Sequence, residues 1–490
     1  MTDKPNILVI MTDQQKATAS HLYGNTFCET PSMERLAREG VLFEYAFTPH
    51  PLCVPARVSL WTSQFPHSHG GRRNQTLMPA DAPHTFKIWK EADYRTGLVG
   101  KNHCFDLPED MALFDMWCYM GRGNPSRDES PLETEWFQGL NRVQSARQSL
   151  RDIPQQSPRF NYRVSHAPVE DHSTALIADQ TVRFLEEYRN EPFVLWISFP
   201  DPHEPWIAPE KYASMFPREK IQLPPWREGE FDERAPERNR VLHQILGMED
   251  DPLEHVYGVM GIYYAMVRFL DDRLGQILDA LEALDLRRNT IVVFCADHGD
   301  FMGEHRMSCK GGVFYDCLTR VPLIVSCPGQ IPSGERDSSM VNLIDIAPTL
   351  LQLQGLDIPR SMHGECLPTV TDAEPRDATF SEYGTGGPPF CMSDLEKLPQ
   401  PYGRRALMQS LHWREAEGRR KMVRTRKWKY VHDPMGDRDE LYDMENDPWE
   451  LENVVDDRSN QAALAEMQLR LADWSIKTED ARPVPLPEQG

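Results

Sequence analysis

Cys53 opens a stretch, Cys53-Val54-Pro55-Ala56-Arg57, whose residue types and spacing suit a nucleophile seated at the start of a helix. The apolar run Val58-Ser59-Leu60-Trp61-Thr62 that follows is helix-prone. Pro55 fits a first helical turn, where its missing N–H costs nothing. The unpaired N–H groups of such a turn attract an anion. Arg57 adds a fixed cation whose planar fork holds two oxyanion oxygens. A single cysteine more often packs as a small buried hydrophobe; here several further motifs ask for the same chemistry.

Such a site needs a scaffold, and the chain alternates buried-strand runs with helical patterns. Ile7–Met11, Gly97–Val99, Phe193–Phe199, Thr290–Phe294 and Val321–Val325 read as strands. Pro31–Glu39 (stopped by Gly40), Thr85–Ala92, Ser173–Tyr188, a long region within His255–Leu286, and Ile344–Leu353 read as helices. The alternation predicts an α/β fold, with a large, mainly parallel sheet sandwiched by helices. Asp13, Lys101, His203 and Asp297 fall just after strands, where open α/β sheets place their sites. Beyond about Asp372 the pattern changes to strands, Lys421–His432 the clearest, then a helix over Asn460–Lys477 and a Pro-rich tail. The expected division is therefore 1–372, a catalytic α/β domain, and 373–490, a smaller α+β subdomain with its tail. Two polar stretches, 124–157 and 224–240, read as surface excursions that either rim a cleft or are tolerated insertions.

Cys-x-Pro-x-Arg resembles the modification motif of the type I sulfatases, in the alkaline phosphatase superfamily. The similarity continues at Asn6–Gln14, at Gly97–His103, at Asp201-Pro202-His203-Glu204-Pro205, at Ala296-Asp297-His298-Gly299-Asp300 and at Lys310. Trp428-Lys429-Tyr430, Glu440–Asp443 and Asp447-Pro448 resemble the closing subdomain. The motifs run in order over nearly the whole chain. There are departures. Val54 replaces a small residue, Ser63 a glycine and Asn102 a bulky residue, and Gln14 follows Asp13 where many members carry a second aspartate. The Asp-Gln form is that of choline-sulfatase-like members and of the related phosphonate monoester hydrolases.

The resemblance implies a catalytic set. Cys53, oxidised to formylglycine by a formylglycine-generating enzyme, supplies two hydroxyls once hydrated; one attacks sulfur and the other collapses to expel sulfate. Asp13, Gln14, Asp297 and His298, with modified Cys53, hold a divalent metal, with Ca2+ expected and Mn2+ or Mg2+ as alternatives. Arg57 and Lys101 neutralise sulfate and hold the hydroxyls. His103 is the candidate base for collapse, and His203 and Lys310 serve the leaving oxygen. Asn74 is a candidate substrate contact, while His67 and His69 read as structural. The implied activity is cleavage of a small-molecule sulfate monoester, whether aryl, carbohydrate or alkyl. The rival is a phosphonate monoester or phosphodiester hydrolase on the same metal and nucleophile, against which the Lys101-x-His103 pair speaks. A noncatalytic sulfated-glycan binder and a serine- or threonine-dependent phosphatase fit less well. Trp117, Tyr119, Trp136 and Trp206 are the aromatic candidates for the cleft wall.

Bulk properties narrow the partners. The 490 residues carry 53 basic and 75 acidic side chains, a net charge of −22, which argues against nucleic acid and anionic membranes. No apolar run has the length to span a bilayer. Ten cysteines without a Cys-x-x-Cys pair favour reduced thiols and a cytoplasmic protein. Association of copies through the C-terminal segment is left open.

Overall fold

The computed structural model describes residues 4–105, 107–120, 133–150, 161–398 and 418–479. The apolar run near the N-terminus forms the strand Asn6–Thr12, buried at every position, because parallel neighbours flank it and packed layers cover both faces. Its neighbours are Phe193–Phe199 and Thr290–Ala296, both parallel to it. The main sheet runs Glu335–Asn342, Gly40–Phe47, Leu323–Ser326, Thr290–Ala296, Asn6–Thr12, Phe193–Phe199, Arg95–Gly100, Met116–Tyr119, with the short strand Arg320–Val321 also paired to Gly40–Phe47. Leu323–Ser326 runs antiparallel to both neighbours, so the expected mainly parallel sheet carries one reversed central strand.

Register is what assembles the site. Thr12 lies level with both Phe199 and Ala296, and Gly100 lies level with Ser198. Asp13, Lys101 and Asp297 therefore leave the sheet together at its carboxyl edge.

Two local expectations need correction. Gly40 is no helix stop: the helix Pro31–Arg38 ends before it and Gly40 begins the strand Gly40–Phe47. Glycine is required there because a Cβ would lie 2.3 Å from the Val325 carbonyl oxygen. Lys421–His432 is a hairpin of two strands, Arg420–Thr425 and Trp428–His432. With Ala378–Tyr383 and Glu440–Asp443 they form a four-stranded antiparallel sheet, backed by the helix Gln461–Lys477. This small sheet is tied to the body of the molecule by buried charge. Glu382 accepts from His67 Nδ1 at 3.0 Å, and Lys429 bridges Asp316 and Glu450 at 2.5 Å each.

Of the first polar excursion, 124–132 and 151–157 lie outside the described residues; the remainder is the helix Glu133–Ser149. Trp136 and Trp206 are core residues, 2% and 1% exposed, and so form no cleft wall. Trp117 and Tyr119 sit half-buried on the edge strand Met116–Tyr119. Among the described residues no helix is long and apolar enough to cross a membrane.

Candidate active site

Cys53 is the first residue of the helix Cys53–Thr62, every residue of which is buried. Pro55 falls in its first turn, as expected. Leu52, the residue before the helix, is extended and offers no side-chain cap. Two other side chains fix this terminus: Asn74 Oδ1 accepts the Val54 N–H at 3.1 Å, and His50 Nδ1 accepts the Leu52 N–H at 3.2 Å. Asn74 thus supports the start of the nucleophile's helix, satisfying one of the N–H groups a helix leaves unpaired.

Arg57 follows one turn later, with no exposure at all. Its Nε and Nη2 reach Asp297 Oδ2 at 3.0 and 2.9 Å, and Nη2 reaches Asp13 Oδ2 at 2.9 Å. Nη1 donates to Ser198 Oγ at 2.6 Å and to the Lys101 carbonyl at 3.1 Å. The two oxyanion oxygens expected of Arg57 are thus carboxylate oxygens of Asp13 and Asp297. The guanidinium orders the acids and has no donor nitrogen left unused for sulfate.

Around the Cys53 sulfur stand Lys310 Nζ at 3.0 Å, His298 Nε2 at 3.2 Å, and Lys101 Nζ and Asp13 Oδ1 at 3.8 Å each. Lys101 Nζ also contacts Asp13 Oδ2. Burial alone pushes the thiol up, but Lys101, Lys310 and His298 together hold it well below the usual thiol range, with His103 adding to the effect. Against its complete burial, Lys101, His203 and Lys310 hold Asp13 well below the usual carboxylate range. His203 turns Nε2 to within 4.0 Å of Asp13 Oδ1, because its Nδ1 donates to the Glu204 carbonyl at 2.7 Å. His103 takes a left-handed backbone, φ 59°, a conformation that non-glycine residues adopt at a cost.

The donor set fits a divalent cation. Asp13, Cys53, Asp297 and His298 present ligand-type atoms that all lie within 4.8 Å of one another. His298 Nδ1 donates to the Gly299 carbonyl at 2.9 Å, which leaves the Nε2 lone pair facing the cluster. Gln14 Oε1 is buried without a hydrogen-bond partner, a costly state for an amide oxygen unless something electropositive meets it. The family model for sulfatases matches residues 5–356.

The chain belongs to the sulfatase family.

This sulfatase is 26% identical to an arylsulfatase of Clostridium perfringens, over 92% of this chain and 90% of that protein. It is 27% identical to a choline-sulfatase of Rhizobium meliloti, over 98% and 89%. In fold it resembles the phosphonate monoester hydrolase of Agrobacterium radiobacter, with a TM-score of 0.80 and 24% identity over 99% of both chains.

Sequence reasoning missed the residues that brace the sulfatase site. Ser198 holds Arg57, but a serine inside an apolar strand carries no signal of that. Asp300 accepts from Gln14 Nε2 and from the Met302 N–H at 2.8 Å; burial pushes its carboxyl up to about 6. Tyr263, on the long helix Leu253–Ala283, donates to the Gln14 carbonyl at 3.0 Å and fixes the left-handed turn there, φ 67°. Asp300 stood within a motif already noted; nothing in the sequence pointed to Tyr263.

Proposed function

We propose that this sulfatase hydrolyses a small-molecule sulfate monoester, with Cys53, as formylglycine, carrying the nucleophile. The observation that supports this most is the crowding of one buried sulfur by Lys310, His298, Lys101 and Asp13. The sulfur marks the place of the hydroxyls that oxidation and hydration of Cys53 supply: one to attack, one to release sulfate. A divalent cation held by Asp13, Gln14, Asp297, His298 and residue 53, with Ca2+ as the first candidate, would supply charge that polarises sulfate and lowers the proton affinity of the nucleophile.

The chain's own residues do the rest. Lys310 and Lys101, 3.0 and 3.8 Å from the Cys53 sulfur, neutralise the nonbridging oxygens, where negative charge grows in the transition state. Arg57 keeps both carboxylates in place instead of touching sulfate. His203 offers Nε2 to the leaving oxygen, its other nitrogen being engaged by a carbonyl. His103, beside residue 53, takes the proton whose loss drives collapse. Burial of the cluster excludes bulk water and strengthens each of these charges. Ten free thiols suit a reducing compartment.

Gln14 sustains one competing reading, hydrolysis of a singly charged phosphonate monoester or phosphodiester in the same site. Peptide mass spectrometry on Cys53, paired with aryl sulfate and diester assays, tests both. Formylglycine at Cys53 with sulfate turnover that vanishes in Cys53→Ala is the expected result. Diester turnover far above sulfate turnover moves the assignment to the competitor. An unmodified cysteine and no turnover, after coexpression with the modifying enzyme, overturns both.

A further inference from the structure

The helix Gln461–Lys477 has two apolar faces. Met467, Leu471 and Trp474 are buried against the small sheet. On the opposite side Ala462, Ala465, Leu469, Ala472 and Ile476 are all exposed. They alternate in steps of three and four residues, the rhythm of a helix–helix seam. Leu469 and Ile476 are 63% and 65% exposed, more than any other large hydrophobic side chain among the described residues. Single exposed leucines need no explanation, but an aligned stripe does.

We propose that this stripe is a homodimer seam, in which the helices of two copies of the chain pack antiparallel across a two-fold axis. Charge selects a second copy. At a net charge of −22 two copies repel over most of their surface. Beside the stripe, however, Glu466 and Asp473 are matched by Arg470 and Lys477, so a self-contact here carries no net repulsion. Arg470 already holds Glu466 at 3.0 Å and Asp377 at 2.9 Å.

Packing selects the orientation. Set antiparallel, Leu469 comes level with Ala472 of the second copy and Ile476 with its Ala465, so each of these layers holds one large and one small side chain, with Ala462 lying beyond them. A parallel pair stacks Leu469 on Leu469 and Ala472 on Ala472, alternating crowded and empty layers. On one flank of the antiparallel pair Glu466 of each copy comes within two residues of level with Asp473 of the other, the two Arg470 side chains sit between these acid pairs and Lys477 flanks them, so each acid pair has a cation on either side. The two-fold makes the contact self-complementary. A 17-residue helix gives a seam of about 25 Å. One helix supplies less than the roughly 800 Å² per partner of a standard interface, so the dimer is expected to be concentration-dependent.

Analytical ultracentrifugation of the full chain over a concentration series tests this, with L469E/I476E as the variant. Both changes lie on a solvent-facing surface remote from the catalytic residues, so melting temperature and turnover are expected to stay at wild-type values. The expected result is a reversible dimer that the variant abolishes. A wild-type chain that stays monomeric throughout, or a dimer indifferent to the variant, overturns the proposal. For the orientation, mild oxidation of mixed L469C and A472C chains is expected to trap the mixed dimer. Crosslinking of L469C to itself in preference overturns the antiparallel seam.

Discussion

The ammonium of Lys310 lies 3.0 Å from the sulfur of Cys53, nearer than Lys101 at 3.8 Å. It lies equally close to His298 Nε2. Lys310 is thus the cation placed nearest to the position where a sulfuryl group would be handled. Lys310→Ala is expected to lower kcat/KM for an aryl sulfate by about 10²–10³-fold, the range for losing one preorganised charge-stabilising group. Lys310→Arg is not expected to restore it, since a planar fork does not replace a compact ammonium. Steady-state kinetics on correctly modified protein reads this directly.

Arg57 predicts a stability effect instead of a purely kinetic one. It is fully buried between two carboxylates, and removing one partner of such a pair leaves uncompensated buried charge. Arg57→Ala is expected to cost about 3–5 kcal/mol, visible as a lowered denaturant midpoint. A divalent cation added to the variant is expected to recover part of the loss, because it answers the same two acids.

Ser198→Ala removes a hydroxyl that accepts from Arg57. A hydrogen bond to a charged group is worth about 1.5–3 kcal/mol, so a smaller fall in stability than for Arg57→Ala is expected. Turnover should fall through misplacement of Asp13 and Asp297, with partial rescue by Ser198→Thr, which keeps the hydroxyl.

Gln14→Leu removes the amide oxygen that is buried without a partner. Affinity for the divalent cation is expected to weaken by about 10–100-fold, as for residues that support a metal centre. Calorimetric titration after chelation measures it. Chelation of the wild-type protein is expected to abolish turnover and lower the melting temperature, both reversed by adding the cation back.

Part of the acid sensitivity should reside in Glu382. Burial would raise its pKa, but the hydrogen bond from His67 and the charges of His67, Lys421 and Arg72 hold it far below the usual carboxylate range. A depressed folded-state pKa contributes stability that is fully present above the unfolded value of about 4.3 and is lost as pH falls from there toward the folded value. Equilibrium unfolding from neutral pH down through 4 is expected to show this loss, and Glu382→Gln to flatten it while lowering stability at neutral pH.

Much of this was legible because chemistry and topology share one sequence signal. Ile7–Met11 and Thr290–Phe294 announce strands by apolar β-branched runs, and the acids that end them, Asp13 and Asp297, converge once the strands pair in register. The strand Gly40–Phe47 went unread because Glu44 and Tyr45 interrupt its apolar pattern, and because its glycine looks like a helix terminator when its neighbour Val325 is not in view. The hairpin of Arg420–Thr425 and Trp428–His432 looked like one strand because Arg426-Lys427 carries none of the usual turn residues. Ser198, Asp300 and Tyr263 act through distance across the fold, and no local pattern encodes that. Arg57 was found, but its partners were not: spacing locates a guanidinium and leaves open which anions fill its fork.

The helix that begins at Cys53 has no exposed residue, and Cys53 itself is 1% exposed. If Cys53 is oxidised as proposed, the enzyme that does so meets a thiol, and flanking residues, that the folded protein buries. On that reading maturation would be a race between oxidation and folding. Oxidation would then have to reach the growing or newly released chain before the sheet closes over it, and a molecule that folds first is expected to stay unmodified. Slowing folding, by temperature or by a chaperone, should raise the fraction of active protein without altering a single contact in the final structure.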